Sequence, residues 1–216
     1  MLIGNYFKSI KKNFRNQFFS GISFNSSETK PGNIFFAIKG TKLNGNKFIK
    51  EAIYNGAKII VYENKFSGLK KGVLFISSKN VRKSLAILSY KIYKNKPKNL
   101  VAVTGTNGKS SVADFYYQIL KFNKKKVASI GTLGIKTERK KINVSNTTLN
   151  PMELGKNLEK LKKEKIDNVI LEASSHGLKQ NRLDGLFFKT GIFTNLSHDH
   201  LDYHKNFKDY LNSKLY

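Results

Sequence analysis

One segment near the middle of the chain constrains the fold more than any other. An apolar run at 100–103 leads into the turn 104–108, which contains two glycines, and a helix-like stretch follows at 112–120. A strand, a glycine turn and a helix in this order commonly hold phosphate groups, because glycine lets backbone N–H groups approach the anion and the helix N-terminus adds partial positive charge. The order predicts a phosphate-binding site rather than an ordinary connection between a strand and a helix.

Two side chains at the end of this turn fit the same prediction. The Lys109 ammonium can neutralise the β- and γ-phosphates of a nucleotide, and the Ser110 hydroxyl can ligate Mg²⁺. The pattern departs from the common phosphate-binding loop, which has a glycine where this chain has Val103. We therefore expect a shorter loop than usual.

The composition limits the class of protein. With 216 residues, the chain can bury a sizeable core in one or two domains. It contains no cysteine, which excludes disulfides and cysteine-bound metals and suits a reducing, cytoplasmic location. No apolar run approaches the roughly 18–20 residues that cross a membrane, so we expect no membrane insertion. The N-terminus also lacks the apolar core of a signal peptide.

The chain is strongly basic, with a formal net charge of +26. Such a charge can indicate binding to nucleic acid or to an anionic membrane surface. Almost all of the cations are lysines, however, and the arginines are limited to Arg15, Arg82, Arg139 and Arg182. Proteins that read a nucleic-acid sequence depend on arginine. A lysine-rich background explains the charge at least as well, so we expect no specific nucleic-acid partner.

Short elements alternate along the first part of the chain. The predicted elements are strands at 34–38, 58–62 and 72–76 and helices at 48–55 and 81–93. The polar, proline-containing segment 94–99 follows them and is interpreted as a linker between two domains.

The second half alternates apolar strands with helices. The predicted elements are strands at 127–130, 168–172 and 191–194 and helices at 152–164 and 206–216. This alternation predicts a parallel sheet covered on both faces, with about four clear strands and one open edge. Ligands of such sheets collect at the carboxyl ends of the strands. The turn 105–109, Glu172 and the segment after Thr194 should therefore lie together.

Two further groups could bind a metal. Glu172 ends an apolar strand, where it could hold Mg²⁺ or cap the next turn as a surface carboxylate. The histidine-rich segment 198–204 has a spacing that fits a zinc or iron cluster as well as it fits a solvated polar loop. Beside a nucleotide site, one of these histidines could instead contact Mg²⁺.

Other polar residues near these motifs have ordinary interpretations when read alone. Thr147 and Thr148 precede Pro151 and could cap the following helix or contact a ligand, and the residues read alone favour capping. Arg182 could bind a carboxylate or a phosphate, but it fits an exposed ion pair equally well. Lys214 reads as a solvated helix residue.

Four motifs together resemble the Mur ligase family, whose members add amino acids to UDP-N-acetylmuramoyl peptides in wall synthesis. They are TGTNGKS at 104–110, NTTLNP at 146–151, LEASSHGLKQNR at 171–182 and TNLSHDHLDYH at 194–204. The combination of SSHGL with DHLDYH is similar to the MurE type, which attaches the third residue. The segment 21–40 is similar to the UDP-sugar-binding domain of that type.

The resemblance implies an α/β fold and a role for each matching residue. It implies a small UDP-muramoyl-binding domain at 1–96 and an incomplete parallel-sheet ATPase domain of the P-loop type at 97–216. ATP phosphates would be held by Gly105, Thr106, Asn107, Gly108, Lys109 and Ser110. Magnesium would be held by Ser110, Glu172, His200 and a carbamylated Lys214, and the catalytic residues would be Lys109, His200 and Lys214. The UDP-muramoyl dipeptide would be bound by Ser26, Thr147, Thr148, Ser174, Ser175, Gln180 and Arg182.

The implied reaction is ATP-dependent amide formation by a monomer. The dipeptide carboxylate attacks the γ-phosphate, and an incoming diamino acid, meso-diaminopimelate or lysine, then displaces phosphate from the acyl phosphate. One departure concerns 25–27, where Asn-Ser-Ser replaces the Asp-Ser-Arg usual in the family. We therefore expect altered contacts to the uridine sugar.

Family members continue past position 216 into the rest of the ATPase domain and a C-terminal domain that receives the amino acid. We therefore expect that this chain alone does not complete the ligation. Two other classes stay open at this point. One is a basic, nucleotide-dependent nucleic-acid-binding protein, and the other is a non-catalytic truncation product that binds a UDP-sugar.

Overall fold

The computed structural model describes residues 1–7, 10–40 and 43–216, which form two compact units. The first unit is Met1–Leu88 and the second is Ser89–Tyr216, so the division falls within one helix. Within the described ranges, every helix is shorter or more polar than a membrane-crossing helix must be.

A five-stranded sheet forms the centre of the first unit. Its strands are β1 (Ile22–Ser23), β2 (Ile34–Phe36), β3 (Ile59–Tyr62), β4 (Gly68–Lys70) and β5 (Val73–Ser77). They lie in the order β1-β2-β3-β5-β4, and β4 alone pairs antiparallel with its neighbour. Every residue of β2 and β3 is buried, which is typical of parallel strands covered on both faces.

Short helices flank this sheet. They are α1 (Ile49–Tyr54) and α2 (Val81–Ile92), together with 3-10 turns at Ile3–Asn5, Lys12–Phe14 and Gly45–Phe48. Ala52 of α1 packs with Phe35 and Ile60 in one apolar cluster. The helix predicted at 48–55 is thus a 3-10 turn followed by a shorter α-helix.

The second unit contains a six-stranded sheet. Its strands are β6 (Asn99–Thr104), β7 (Val127–Gly131), β8 (Gly134–Lys136), β9 (Lys141–Ile142), β10 (Asn168–Glu172) and β11 (Thr190–Phe193). They lie in the order β11-β6-β10-β7-β8-β9, in which the first four are parallel. The parallel sheet is therefore confirmed, and β11 forms an edge that pairs with β6 alone.

Four helices complete the second unit. They are α3 (Lys109–Phe122), α4 (Pro151–Lys163), α5 (Ser175–Lys179) and α6 (Phe207–Leu215). Helix α4 begins where proline suits the first helical position, and the Asn150 side chain accepts hydrogen bonds from the Met152 and Glu153 N–H groups. Asn150 is the cap, so the interpretation of Thr147 and Thr148 as capping residues was wrong.

Strand register sets the position of the candidate site. Glu172 is paired with Val103, and Phe193 is paired with Thr104. The carboxyl ends of β6, β10 and β11 therefore meet at one edge of the sheet. The loops that follow these strands converge there, as the sequence predicts.

Three elements of the second unit differ from the prediction. The antiparallel strands β8 and β9 were missed, because each has only two or three residues and hairpin pairing rather than apolar length defines it. Helix α5 was also missed, since five residues are too few to show a helical period.

Candidate functional site

The turn after β6 has a shape that glycine makes possible. Gly105 has φ +145°, and a Cβ built on it would lie 1.8 Å from the Thr194 hydroxyl oxygen. Gly108 is left-handed at φ +82° and forms the N-cap of α3. Both positions suit glycine, because other residues rarely adopt these conformations. Gly105 also lacks space for a side chain.

The segment after β11 holds the turn in place. The Thr106 N–H donates to the Asn195 carbonyl at 3.0 Å, and the Asn107 N–H donates to the Asn195 Oδ1 at 3.0 Å. The Thr194 hydroxyl donates to the Asn107 carbonyl at 2.6 Å. The Tyr210 hydroxyl lies 3.0 Å from Thr106 Oγ1. These contacts fix the turn backbone with its helix N-terminus facing a cavity.

Two lysines converge on the same carbonyl of this turn. The Lys109 ammonium donates to the carbonyls of Gly105 and Thr106 at 2.8 and 2.7 Å. The Lys214 ammonium donates to the Gly105 carbonyl at 2.6 Å, and only 6% of Lys214 is exposed. Lys214 is therefore not a solvated helix residue, because α6 turns it inward beside Lys109.

Burial affects both ammonium groups, and Lys214 also feels the charge of Lys109. Burial and the nearby charge of Lys109 lower the pKa of Lys214 to about 8, although Asp199 opposes the shift. Burial also lowers the pKa of Lys109, against the opposing effect of Glu172 and Asp199. Two amines with lowered pKa values at a helix N-terminus form a position where an anionic ligand would be stabilised.

Glu172 is buried at the end of β10, with 2% of its surface exposed. Its Oε2 accepts hydrogen bonds from the Ser110 hydroxyl at 3.0 Å and the Thr132 hydroxyl at 3.1 Å, and its Oε1 accepts one from the Thr132 N–H at 3.0 Å. The interpretation of Glu172 as a surface carboxylate was wrong. The carboxylate instead faces the first turn of α3.

Gly131, the last residue of β7, provides the space for this carboxylate. A Cβ built on Gly131 would lie 2.1 Å from the Glu172 Oε1 and 2.5 Å from its Cδ. Replacing Gly131 with alanine should therefore displace the carboxylate and lower the free energy of unfolding by about 1–3 kcal/mol. Urea denaturation measures the loss.

Gly191→Ala is the matched control, because a Cβ on that strand residue meets nothing within 4 Å. We expect it to leave the unfolding free energy within about 0.5 kcal/mol of the original, as is usual for surface substitutions. Equal free energies of unfolding of Gly131→Ala and Gly191→Ala would contradict the close contact between Gly131 and the Glu172 carboxylate.

A second group of residues surrounds Thr148. The Thr148 hydroxyl donates to the Glu172 carbonyl at 2.8 Å and lies 3.0 Å from Ser174 Oγ, while Arg182 Nη1 donates to the Thr148 carbonyl. Arg182 also donates to Gln180 Oε1 at 2.8 Å, and Ser174 caps α5. The structure thus places Thr147, Thr148, Ser174, Gln180 and Arg182 on loops that follow β9, β10 and α5.

The histidine-rich segment does not form a metal cluster. Across residues 1–7, 10–40 and 43–216, no group of three His, Cys, Asp or Glu side chains is arranged to hold a metal ion. His176 stacks on Tyr203 with ring centroids 4.0 Å apart and meets the edge of His200 at 4.8 Å. The zinc or iron interpretation was therefore wrong, and His198 stacks on Phe207 instead.

Another histidine of this segment is structural. His204 is 1% exposed, and its Nε2 lies 3.0 Å from the Ser175 hydroxyl oxygen. Its Nδ1 lies 3.7 Å from Asp209 Oδ2, and Asp209 pairs with Lys179. Burial lowers the pKa of His204, with Lys179 contributing and Asp209 opposing. The ring thereby joins the segment after β11 to α5.

One cavity of about 290 Å³ lies at this edge of the second unit, and Gly105, Thr148, Gln180 and Arg182 are not among its lining residues. Its lining brings together most of the predicted residues of the second unit, namely Thr106, Asn107, Gly108, Lys109, Ser110, Thr147, Glu172, Ser174, Ser175, His200 and Lys214. The hydroxyl and carboxylate oxygens of Ser110 and Glu172 are the ligands that Mg²⁺ prefers, and His200 lines the same cavity. The residues present therefore fit a magnesium ion beside a phosphate chain.

Sequence reasoning missed several residues of this cavity region. Thr132 also lines the cavity, and Thr194, Asn195 and Tyr210 hold its turn. Thr132 lies two residues after the predicted strand 127–130, so its place near the carboxyl end of a strand was a usable signal. Tyr210 gave no such signal, since helical spacing alone does not identify its partner.

Ser26 lies in the first unit, within the segment after β1. Its hydroxyl donates to Glu51 Oε2 at 2.9 Å, and its carbonyl accepts a hydrogen bond from Asn55 Nδ2 at 2.9 Å. Beside it, Asn25 Oδ1 accepts from the Ser27 N–H and hydroxyl at 3.2 and 3.0 Å. The three residues thus form a local hydrogen-bonded turn.

Two family models match the chain, and together they cover most of it. The Mur ligase middle domain matches residues 103–216, and the model described as "Mur ligase family, catalytic domain" matches residues 19–98. The first match contains the turn, Glu172, the cavity wall and Lys214.

Several curated relatives carry the same enzyme name, UDP-N-acetylmuramoyl-L-alanyl-D-glutamate–2,6-diaminopimelate ligase. The relative from Bradyrhizobium diazoefficiens is 40% identical over 91% of this chain and 40% of its own length. Those from Rickettsia prowazekii and Clostridium tetani are 40% and 41% identical over 94% and 90% of this chain. The chain spans about two fifths of the length of these relatives, 42% and 41% for the latter two.

Solved structures agree with the sequence comparison. A structure of a ligase with that same name has a TM-score of 0.81 at 28% identity, covering 99% of this chain and 44% of the other. A MurF ligase from Thermotoga maritima in complex with ADP shares the fold, with a TM-score of 0.58 at 22% identity over 90% of this chain and 42% of its own. With the phosphate-loop geometry, the family models and these relatives in agreement, the chain belongs to the Mur ligase family.

Proposed function

We propose that this chain supplies the nucleotide and acceptor sites of an ATP-dependent amide ligase of the MurE type. The observation that carries the proposal is the Lys109 ammonium at the start of α3 beside the Ser110–Glu172 contact, with the buried Lys214 amine on the same carbonyl. Lys109 and the helix N-terminus place positive charge where a phosphate chain would lie, and Ser110 and Glu172 place oxygen ligands next to it. The names of the relatives supply the substrate class.

The nucleotide would be ATP, held by the turn at 105–110 and by the Lys109 ammonium. Magnesium would be held by Ser110, Glu172 and His200, with Lys214 contributing once carbamylated, and it would neutralise charge on the phosphates. Lys109 would offset the repulsion between an attacking carboxylate and the γ-phosphate. The protein's contribution is thus positioning and electrostatic stabilisation.

The acceptor would be UDP-N-acetylmuramoyl-L-Ala-D-Glu, as the names of the relatives indicate. We assign its recognition to Ser26 in the domain at 1–96 and to the remaining acceptor residues in the domain at 97–216. The latter are Thr147, Thr148, Ser174, Ser175, Gln180 and Arg182. The incoming diamino acid would be 2,6-diaminopimelate, the one named in the relatives, with lysine as the alternative. Because the reaction draws on cellular ATP, we place it in the cytoplasm, and we propose a monomer.

Binding of the dipeptide tests this proposal directly. Calorimetric titration of the chain with UDP-N-acetylmuramoyl-L-Ala-D-Glu, in the presence of Mg²⁺ and a non-hydrolysable ATP analogue, should give saturable binding. Arg182→Ala should weaken it at least about tenfold, since hydrogen bonds to charged groups contribute about 1.5–3 kcal/mol.

Arg139→Ala is the matched control, because it removes the same charge from a different cavity on the second unit. It should leave the dissociation constant within about twofold, as expected for a distant site. Equal weakening by both variants would show only a general charge effect. No binding by protein that circular dichroism shows to be folded would contradict the assigned acceptor.

A further inference from the structure

We infer that Thr132 is a positioning residue that orients the Glu172 carboxylate for the metal and joins it to the acceptor loop through Thr147. The inference rests on the proposed function, because it concerns the metal of that site. Thr132 follows β7 directly and lines the same cavity as Glu172 and Lys109.

Thr132 donates hydrogen bonds to both oxygens of the Glu172 carboxylate. Its N–H donates to Oε1 at 3.0 Å, and its hydroxyl donates to Oε2 at 3.1 Å. The only other hydrogen bond that a described residue donates to these oxygens comes from the Ser110 hydroxyl at 3.0 Å. With Gly131 leaving room behind it, the carboxylate is held in one plane by two donors of the same residue.

The chemistry of the hydroxyls fixes the direction of this chain of hydrogen bonds. An ionised carboxylate only accepts, so the single proton of the Thr132 hydroxyl points to Glu172. Thr132 Oγ1 also lies 3.0 Å from Thr147 Oγ1, and Thr147 must be the donor in that pair. The acceptor loop therefore donates to Thr132, which donates to the metal carboxylate.

Thr132 also leaves the carboxylate able to bind a cation. A carboxylate offers about four lone-pair positions, and three hydrogen bonds reach Glu172. The Ser110 hydroxyl oxygen would itself bind the metal. Its hydrogen bond to the Glu172 carboxylate would therefore depend on the orientation of the hydroxyl in the metal-bound state. The two bonds from Thr132 do not involve a proposed ligand. Among the residues that the structure describes, Thr132 is thus the donor to this carboxylate that does not itself bind the metal.

The test measures metal affinity directly. Mn²⁺ replaces Mg²⁺ as an electron paramagnetic resonance probe, titrated into the 216-residue chain with saturating ADP. Thr132→Val keeps the shape and the backbone N–H but removes the hydroxyl, and it should weaken Mn²⁺ binding about 10- to 100-fold, as loss of an outer-shell partner does. Thr132→Ser restores the hydroxyl and should recover most of the affinity.

Two controls separate this role from a general loss of structure. Thr190→Val makes the same change at an exposed position on the edge strand β11 and should leave Mn²⁺ binding unchanged. ADP binding measured without metal should be the same in Thr132→Val and the original chain. A merely structural role of Thr132 would instead weaken both the binding of Mn²⁺ and the binding of ADP without metal.

A double-mutant cycle tests the link to Thr147. Thr147→Val should weaken Mn²⁺ binding about threefold in the original chain and should have no further effect when Thr132 is valine, since coupled residues are not additive. Equal Mn²⁺ affinity of Thr132→Val and the original chain would overturn the inference while leaving the proposed function intact. Failure of the original chain to bind Mn²⁺ with ADP would overturn both.

Discussion

Replacing Lys109 with methionine is expected to weaken the binding of Mg²⁺–ADP about 100-fold, the loss of a strong charge-assisted contact of about 2–3 kcal/mol. Methionine keeps the length and the apolar part of the side chain, so the first turn of α3 should persist. Isothermal titration calorimetry of the folded chain measures the change.

The expected size of this effect follows from the surroundings of the ammonium. In the absence of a ligand, Lys109 donates to two carbonyls of the turn, at Gly105 and Thr106. Phosphate oxygens carry full negative charge and would be better acceptors than these carbonyls. The same group also lies near Lys214, so its charge is costly until an anion is bound.

Lys121→Met is the matched control for this experiment. Lys121 is an exposed lysine on the same helix, so the substitution removes the same net charge away from the turn. We expect its ADP affinity to fall less than about twofold, since exposed charges are screened by salt. Similar losses for both variants would mean that general charge, rather than the phosphate loop, governs nucleotide binding.

The sequence predicted the main sheet of the second unit because parallel strands leave a clear apolar pattern. The strand at 168–172 agrees with β10 residue for residue, and the location of Glu172 beside the turn at 105–109 follows from parallel topology. These features depend on local patterns and on one general rule about strand ends.

Features that depend on tertiary contacts were not predictable in the same way. Lys214 is one lysine among many, and only the packing of α6 shows that it is buried against Gly105. Thr148 precedes a helix in a typical capping context, yet Asn150 lies at the cap and Thr148 bonds to the Glu172 carbonyl. The zinc or iron interpretation of the segment 198–204 likewise failed, because its rings stack on aromatic neighbours in a way that no spacing rule reveals.

The stability of the chain should depend on pH through Lys214. Its pKa is lowered from the usual 10.5 to about 8 in the folded protein, so between these values the unfolded chain binds more protons than the folded one. The contribution of Lys214 to the free energy of unfolding should therefore rise with pH. We expect a gain of about 2–3 kcal/mol between roughly pH 7 and pH 10. Urea denaturation across this range measures it.

Lys214→Met isolates this contribution, because other lysines and tyrosines titrate over the same range in both proteins. The difference in unfolding free energy between the original chain and the variant should increase with pH, and a difference independent of pH would contradict a lowered pKa.

The same lowered pKa of Lys214 bears on its proposed carbamylation. Only the neutral amine attacks CO₂, forming an N–C bond and releasing a proton, and near pH 8 about half of Lys214 would be neutral. Burial beside Lys109 thus prepares the Lys214 amine for conversion into the carboxylate-like ligand proposed for it.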